Sequence, residues 1–222
     1  MYVGRIMHRD LITVPPDTPL SSAHTMIAEK AISHLLVVDG AGNLIGLVSD
    51  RDIRQSWASP ATSLSKHELN YLLGQITLGM IMTRKIVTIG PETTIERAAF
   101  IMQKNKINAL PVLQNEKLIG IITTTDVTEV LLRAIGIDDD SFRLTVPVRD
   151  RVGCIYDISR ILKDAGINIR SLVSHPEKNA PGVYQLVMRV SAAEGPKAVE
   201  SLGKAGFRVL TQYVDNIEDF IN

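Results

Sequence analysis

The sequence predicts a mixed α/β protein in which one small β-α-β-β-α unit is written twice, followed by a block with the order β-α-β-β-α-β. Two pairs of similar segments indicate the duplication. GLVSDRDI, which begins at Gly46, resembles GIITTTDV, which begins at Gly120, and VGRIMHRDLITV, from Val3, resembles LGMIMTRKIVTI, from Leu78. After Phe142 the apolar residues follow a different succession of strand-like and helix-like spacing. One such unit is too small to bury much surface alone, so we expect the two copies to cover each other.

The amino-acid composition limits the classes of function that this protein can have. The chain has 222 residues, of which 45% are hydrophobic and 22% charged, as is typical of a globular protein. Lys plus Arg (24) balances Asp plus Glu (24), so no net field favours nucleic acid or a membrane surface as a partner. The single cysteine, Cys154, excludes an intrachain disulfide, and the sequence shows neither a secretory leader nor a long apolar run. We therefore expect a cytoplasmic protein.

Each copy contains the same succession of local signals. A short apolar run, LITV or IVTI, precedes a helix start. In the second copy Thr93 and Glu96 form a T-x-x-E capping-box pattern, and in the first Thr18 precedes Pro19, which suits a first helical turn. Apolar residues at helical spacing and two further strands follow, and the aspartate of the repeated motif begins a second helix.

Two units that close in register on the pattern glycine, two apolar residues, Ser or Thr, two variable residues and Asp resemble a pair of CBS domains, called a Bateman module. The resemblance covers residues 1–57 and 78–135. In that family the cleft between paired repeats binds adenine nucleotides or related adenosyl ligands. The resemblance therefore implies AMP, ADP, ATP, NAD or S-adenosylmethionine as a regulatory ligand, and no catalytic cofactor.

The repeated aspartates carry the predicted binding function. By resemblance, Asp52 and Asp126 accept hydrogen bonds from ribose hydroxyls, while Ser49 and Thr123 contact phosphate. An ionised carboxylate has two acceptor oxygens for the two donors of a diol, and a helix start offers free N–H groups to phosphate. A second interpretation stays open, because an aspartate at a helix start is also a good N-cap and a strand glycine permits tight packing.

The other predicted ligand contacts are less closely tied to the motif. Arg51 adds a cation in the first copy where the second has Thr125, so we expect the two sites to differ in charge preference. The adenine base is expected among residues that open the second strand of a copy, namely Ile32 and His34, or Ile107 and Ala109.

The segment between the copies, residues 58–77, has a helix signal of its own. SLSKHELNYLL contains an S-x-x-E pattern followed by leucines at helical spacing. It resembles the corresponding stretch in proteins of the acetoin-utilisation AcuB type, which implies a role in acetoin or short-chain carbon metabolism. We expect this segment to pack on the module surface or at a dimer interface.

Residues 142–212 form the third block, preceded by a linker at 136–141 and followed by a tail at 213–222. The block resembles an ACT domain, a ferredoxin-like regulatory fold that binds amino acids. Its D-x-x-G turn is DRVG, with Val152 where proline is usual, and its G-x-N is GIN. The resemblance implies an amino-acid site made by Asp150, Gly153, Cys154 and Asn168. The alternative is that this block mainly dimerises the protein.

Sequence patterns for catalysis are incomplete. GAGNLIG misses the dinucleotide-binding spacing and joins two strands, and HELNY has Tyr71 where a zinc-binding helix needs histidine. The acidic run at 138–140 is expected to be a solvated linker, and no metal site is predicted. We therefore expect no enzyme but a homodimeric sensor of small-molecule effectors. The competing interpretation is an interaction scaffold with empty sites.

Overall fold

A computed structural model of the chain describes residues 1–57, 73–137 and 140–221. They fall into two compact units, Met1–Thr128 and Glu129–Asn222, and the boundary lies inside helix α5 (Thr124–Ile135). Most of the predicted insertion at 58–77 and part of the acidic linker lie outside the described residues.

The first copy has the predicted order of elements: β1 (Thr13–Val14), α1 (Leu20–Lys30), β2 (His34–Val38), β3 (Leu44–Ser49) and α2 (Asp50–Ser56). Strand β1 runs parallel to β2, and β2 runs antiparallel to β3. The predicted apolar stripe of α1, Leu20, Ala23 and Ile27, is buried. It joins one apolar cluster with residues of β2, β3 and α2, which closes the core of this copy.

The second copy repeats these elements with a weaker first strand. It contains α3 (Leu78–Ile81), α4 (Ile95–Asn105), β4 (Ala109–Gln114), β5 (Lys117–Thr123) and α5. Strands β4 and β5 pair antiparallel. The predicted strand IVTI is reduced to one parallel bridge between Ile89 and Val112.

Both predicted helix starts are shifted by one residue. Pro19 is the residue before α1 and not its first helical residue. Helix α4 is capped by Thr94, whose hydroxyl oxygen accepts from the Arg97 N–H at 3.2 Å. The capping box predicted for Thr93 and Glu96 is therefore wrong, because the next threonine occupies the cap position.

The leading segment of each copy pairs with the other copy. His8 and Ile121 exchange backbone hydrogen bonds of 2.9 and 3.0 Å, which ties the first leading segment to β5. Thr83 and Leu47 exchange bonds of 2.9 and 3.1 Å, which ties the second leading segment to β3. The two copies are thus joined by a reciprocal crossing of their first residues.

The repeated glycine accommodates this crossing. A Cβ atom at Gly46 would lie 2.9 Å from Cγ of Met82, and one at Gly120 would lie 2.9 Å from Cγ of Met7. Both methionines are buried. Tight packing is therefore one reason for glycine at the head of the repeated motif, as the second interpretation of the sequence allowed.

Replacing either glycine with alanine is expected to destabilise the first unit. Gly46→Ala and Gly120→Ala should each cost about 1–3 kcal/mol, because overpacking forces a buried methionine to move. Fluorescence of Trp57, the single tryptophan, whose ring centroid lies 4.4 Å from that of His24, reports urea unfolding of this unit. Gly40→Ala is the control, since nothing lies within 4 Å of a Cβ there. Equal midpoints for the control and the motif variants would contradict the packing role.

The second unit contains β6 (Ser141–Arg149), α6 (Cys154–Asp164), β7 (Ser171–Pro176), β8 (Val183–Ser191) and α7 (Gly195–Lys204). The sheet order is β6-β8-β7, with both pairs antiparallel. Both helices bury an apolar stripe in one cluster with β6 and β8. The segment FRVL, residues 207–210, stands at the last strand of the predicted order β-α-β-β-α-β and contributes one antiparallel bridge, from Leu210 to Thr145 on the free side of β6.

Candidate functional site

In the described part of the first unit, a cavity opens beside each repeated aspartate. The Asp52 cavity has a volume of about 650 Å³, and the Asp126 cavity about 560 Å³. Each takes walls from both copies: Thr83 of the second leading segment lines the Asp52 cavity, and His8 of the first lines the Asp126 cavity. The crossing of the leading segments therefore builds both cavities.

The residues predicted from the repeated motif divide between these cavities. Those that line the Asp52 cavity are Ser49, Arg51, Asp52, His34, Ile107 and Ala109. Those that line the Asp126 cavity are Thr123, Thr125, Asp126, Ile32 and His34. The apolar positions Ile32 and Ile107 thus lie beside the aspartate of the opposite copy, and His34 belongs to both cavities.

Asp52 uses one carboxylate oxygen for a helix cap. Its Oδ2 accepts hydrogen bonds from the Ser49 N–H at 2.7 Å and from the Ser49 hydroxyl at 2.6 Å, while the Asp52 N–H donates to Ser49 Oγ at 3.2 Å. Within the described ranges, no hydrogen bond reaches Oδ1. Because each carboxylate oxygen has about two acceptor positions, Oδ1 alone retains capacity for both hydroxyls of a diol.

Asp126 forms the same helix cap but has fewer free hydrogen-bond acceptor positions than Asp52. Its Oδ2 accepts from the N–H and the hydroxyl of Thr123, both at 2.7 Å. Its Oδ1 lies 2.9 Å from Nε2 of His8, which must donate because an ionised carboxylate only accepts. One acceptor position on Oδ1 remains. The counterpart of His8 in the second copy is Thr83, so the two aspartates differ in their surroundings.

These contacts set the charge state of Asp126. Burial acts to raise the pKa of Asp126, but hydrogen bonds from the Thr123 N–H and hydroxyl and from His8, with the charge of His8, outweigh it and hold that pKa below its ordinary value. A depressed pKa means that ionised Asp126 stabilises the fold above the ordinary aspartate pKa. That contribution is lost as pH falls through the folded-state pKa.

His34 adds a neutral ring to both cavities. Burial lowers the pKa of His34, and the Asp52 carboxylate acts in the opposite direction. Its Nδ1 atom is buried and has no hydrogen-bond partner among the residues that the structure describes. At neutral pH His34 is therefore uncharged, and its ring contributes shape and not charge.

The predicted phosphate contacts of Ser49 and Thr123 need a change in hydrogen bonding. Both hydroxyl protons are donated to the aspartates of the helix caps, and the Asp52 N–H at the start of α2 already donates to Ser49 Oγ. Arg51 and Lys106, by contrast, line the Asp52 cavity and form no ion pair within the described part of the chain. Sequence reasoning missed Lys106 and His8. For His8 the reason is that one copy alone does not show which neighbour its leading segment meets.

A third cavity of about 350 Å³ lies in the second unit. Asp150, Gly153 and Cys154 line it, whereas Asn168 is exposed and is not among its lining residues. Gly153 has a φ of 88°, a conformation that favours glycine. Burial raises the pKa of the Cys154 thiol, which favours its protonated form.

Over residues 1–57, 73–137 and 140–221, His, Cys, Asp and Glu side chains form no group of three or more placed to hold a metal ion. The helices in these ranges include none with the length and apolar character required to cross a membrane.

Removing the donors to Asp126 is expected to raise its pKa. His8→Thr copies the counterpart residue and removes the bond to Oδ1, while Thr123→Val removes one bond to Oδ2. Carboxyl-carbon NMR titration of the full chain should show an Asp126 pKa below the ordinary value of about 3.9 and an upward shift in each variant. An unchanged pKa in both variants would show that these bonds do not hold the carboxylate in its charged form.

Comparison with known proteins identifies the first unit. The CBS-domain family matches residues 3–59 and 78–133, together more than half of the chain. A CBS domain-containing protein of Dictyostelium discoideum is 31% identical over 136 residues, which cover 61% of this chain and 94% of that protein. Homoserine O-acetyltransferase of Methanohalobium evestigatum is 32% identical over 131 residues, 59% of this chain but only 24% of the enzyme. A solved protein with CBS domains from Burkholderia ambifaria MC40-6 has a TM-score of 0.50 and 27% identity, covering 63% of this chain and 99% of that one. The chain belongs to the CBS-domain family.

Proposed function

We propose that this protein is a regulatory sensor that binds adenosyl ligands in the Asp52 and Asp126 cavities. One observation carries the proposal: Asp52 Oδ1 accepts no hydrogen bond within the described ranges and lies at a cavity of about 650 Å³. The cavity volumes suit a nucleotide-sized molecule, since small-molecule sites commonly measure about 300–1,000 Å³. Ile107 and Ile32 supply apolar surface for a base in the two cavities.

Ribose recognition would proceed through Oδ1 of each aspartate while Oδ2 stays in its cap. At Asp52 both hydroxyls of the diol can donate to Oδ1. At Asp126 one hydroxyl can donate directly, and full recognition requires His8 to move away. We therefore expect the Asp52 cavity to bind the diol more tightly. Binding would regulate a partner only where the ligand prefers one of two conformations, which is the condition for allostery.

A scaffold without ligands is the second candidate function. Its support is the capping box, because Ser49 and Asp52 satisfy a helix start whether or not a ligand is present. In that case the aspartates serve stability alone, and the protein acts through its surface as a homodimer. Ligand binding to the folded chain distinguishes the two functions.

The wider setting of the sensor is also part of the proposal. We infer a cytoplasmic homodimer without catalytic activity, since both resembled module types commonly pair and the single cysteine is buried. The insertion at 58–77 supports a link to acetoin or short-chain carbon metabolism through its resemblance to the AcuB type. The second unit is proposed to be an ACT domain that binds an amino acid, supported by its element order and by the cavity at Asp150 and Gly153.

Adenosyl ligands should raise the unfolding temperature of the full chain. A ligand at a hundred times its dissociation constant stabilises the folded state by about 2.7 kcal/mol. AMP, ADP, ATP, NAD and S-adenosylmethionine are tested by thermal unfolding with Asp52→Ala/Asp126→Ala as the variant, which should show no shift. The 2′,3′-dideoxy form of the same nucleotide is the matched ligand control, because it lacks the diol. The scaffold function is favoured when none of these ligands moves the midpoint of the native chain.

Amino-acid binding in the second unit can be tested separately. Amide signals of Gly153 and Cys154 in NMR spectra of the full chain should shift when a matching amino acid is added, because both residues line the 350 Å³ cavity. Asp150→Ala should weaken this response, while Asn168→Ala, which lies outside the cavity, should leave it unchanged. A screen of the twenty amino acids without any shift at these amides would leave dimerisation as the role of this unit.

A further inference from the structure

The two adenosyl cavities carry fixed charge of opposite sign. Among the residues that the structure describes, the Asp52 cavity has three cationic side chains against two carboxylates, a balance of +1: Arg51, Arg54 and Lys106 against Asp50 and Asp52. Counted in the same way, the Asp126 cavity has one cationic side chain against two carboxylates, a balance of −1 with its histidines neutral: Arg9 against Asp10 and Asp126. A protonated His8 would bring the net charge of the Asp126 cavity to zero and not to a positive value.

Pairing within the Asp52 cavity leaves cations at its surface. Arg54 and Asp50 neutralise each other on α2, with a contact of 2.6 Å between Nη2 and Oδ2. Arg51 and Lys106 form no ion pair within the described part of the chain, and both line the cavity. An anionic group entering this cavity therefore meets two cations that form no ion pair with a described residue, against the single carboxylate of Asp52.

Pairing within the Asp126 cavity has the reverse effect. The guanidinium of Arg9 donates to the Gly4 carbonyl at 3.0 Å, which holds it on the leading segment. Asp10 forms no ion pair inside the described ranges, and the second copy has Lys85 at the position of Asp10. An anionic group here meets the carboxylates of Asp10 and Asp126 against the single cation of Arg9, while Thr125 stands where the other copy has Arg51.

We propose that the two cavities select different adenosyl ligands by the charge of the 5′ substituent. The Asp52 cavity takes adenosine with 5′-phosphates, and the Asp126 cavity takes adenosine with an uncharged or cationic 5′ group, such as a thioether or a sulfonium. This inference rests on the proposed function, because it assumes that both cavities hold the adenosine part. Like charges placed together disfavour the wrong ligand as strongly as opposite charges favour the right one.

The test uses two ligands that share adenosine and differ in charge. Isothermal titration of the full chain with ATP and with 5′-methylthioadenosine should give one site for each, filled independently. Asp52→Asn should remove ATP binding and Asp126→Asn should remove binding of the thioether. Arg51→Thr, which copies the other cavity and keeps the capping box, should weaken ATP about tenfold, the effect of one hydrogen bond to a charged group.

A reciprocal variant completes the design. Thr125→Arg places the missing cation in the Asp126 cavity and should add a second ATP site while leaving the first unchanged. Equal binding of both ligands in both cavities, or exchanges at positions 51 and 125 without effect on ATP, would overturn the charge selection and leave the adenosyl sensor intact. No binding of either ligand to the native chain would overturn the proposed function itself, and the selection with it.

Discussion

The contact between a buried methionine and a strand glycine of the opposite copy organises the first unit. Met7 lies against Gly120 and Met82 lies against Gly46, with no space for a Cβ atom at either glycine. The backbone pairing that follows each methionine then sets His8 beside β5 and Thr83 beside β3. The packing that joins the copies is therefore also the packing that gives each cavity its second wall.

Asp52 and Asp126 each use one carboxylate oxygen for structure, which leaves the other for the proposed recognition of a ligand. Oδ2 completes a capping pair with Ser49 or Thr123, whereas Oδ1 retains acceptor positions for other donors. A capping side chain contributes about 0.5–2 kcal/mol to stability. For this reason a loss of binding after removal of either carboxylate has to be distinguished from a loss of folding. Substitution of the aspartates by isosteric asparagine, and Arg51→Thr, which keeps the capping box, make this distinction.

The sequence was sufficient for the duplication and for the order of most elements, because these follow from local periodicity and from comparison of one copy with the other. It was insufficient where two local solutions compete or where distant segments meet. Adjacent Thr93 and Thr94 both suit a cap, and only the folded turn selects Thr94. His8 and Asp126 lie near opposite ends of the sequence of the first unit, so no local pattern predicts the hydrogen bond between them.

The closing segment of the second unit shows a related limit. FRVL has the residue types of a strand, yet only Leu210 makes a bridge with β6. Strand propensity describes how well side chains suit a sheet surface, and it does not establish how many backbone groups find a partner. Strands β6 and β7, by contrast, each pair with β8 along their length.

The crossing of the leading segments has a consequence for how such a protein can diverge after gene duplication. A mutation at position 8 is inherited with the first copy, but its effect is exerted on the aspartate of the second. Each half of the gene thus contributes residues to the pocket beside the other half's aspartate. A substitution in either half can therefore alter both pockets, so neither pocket diverges independently of the other.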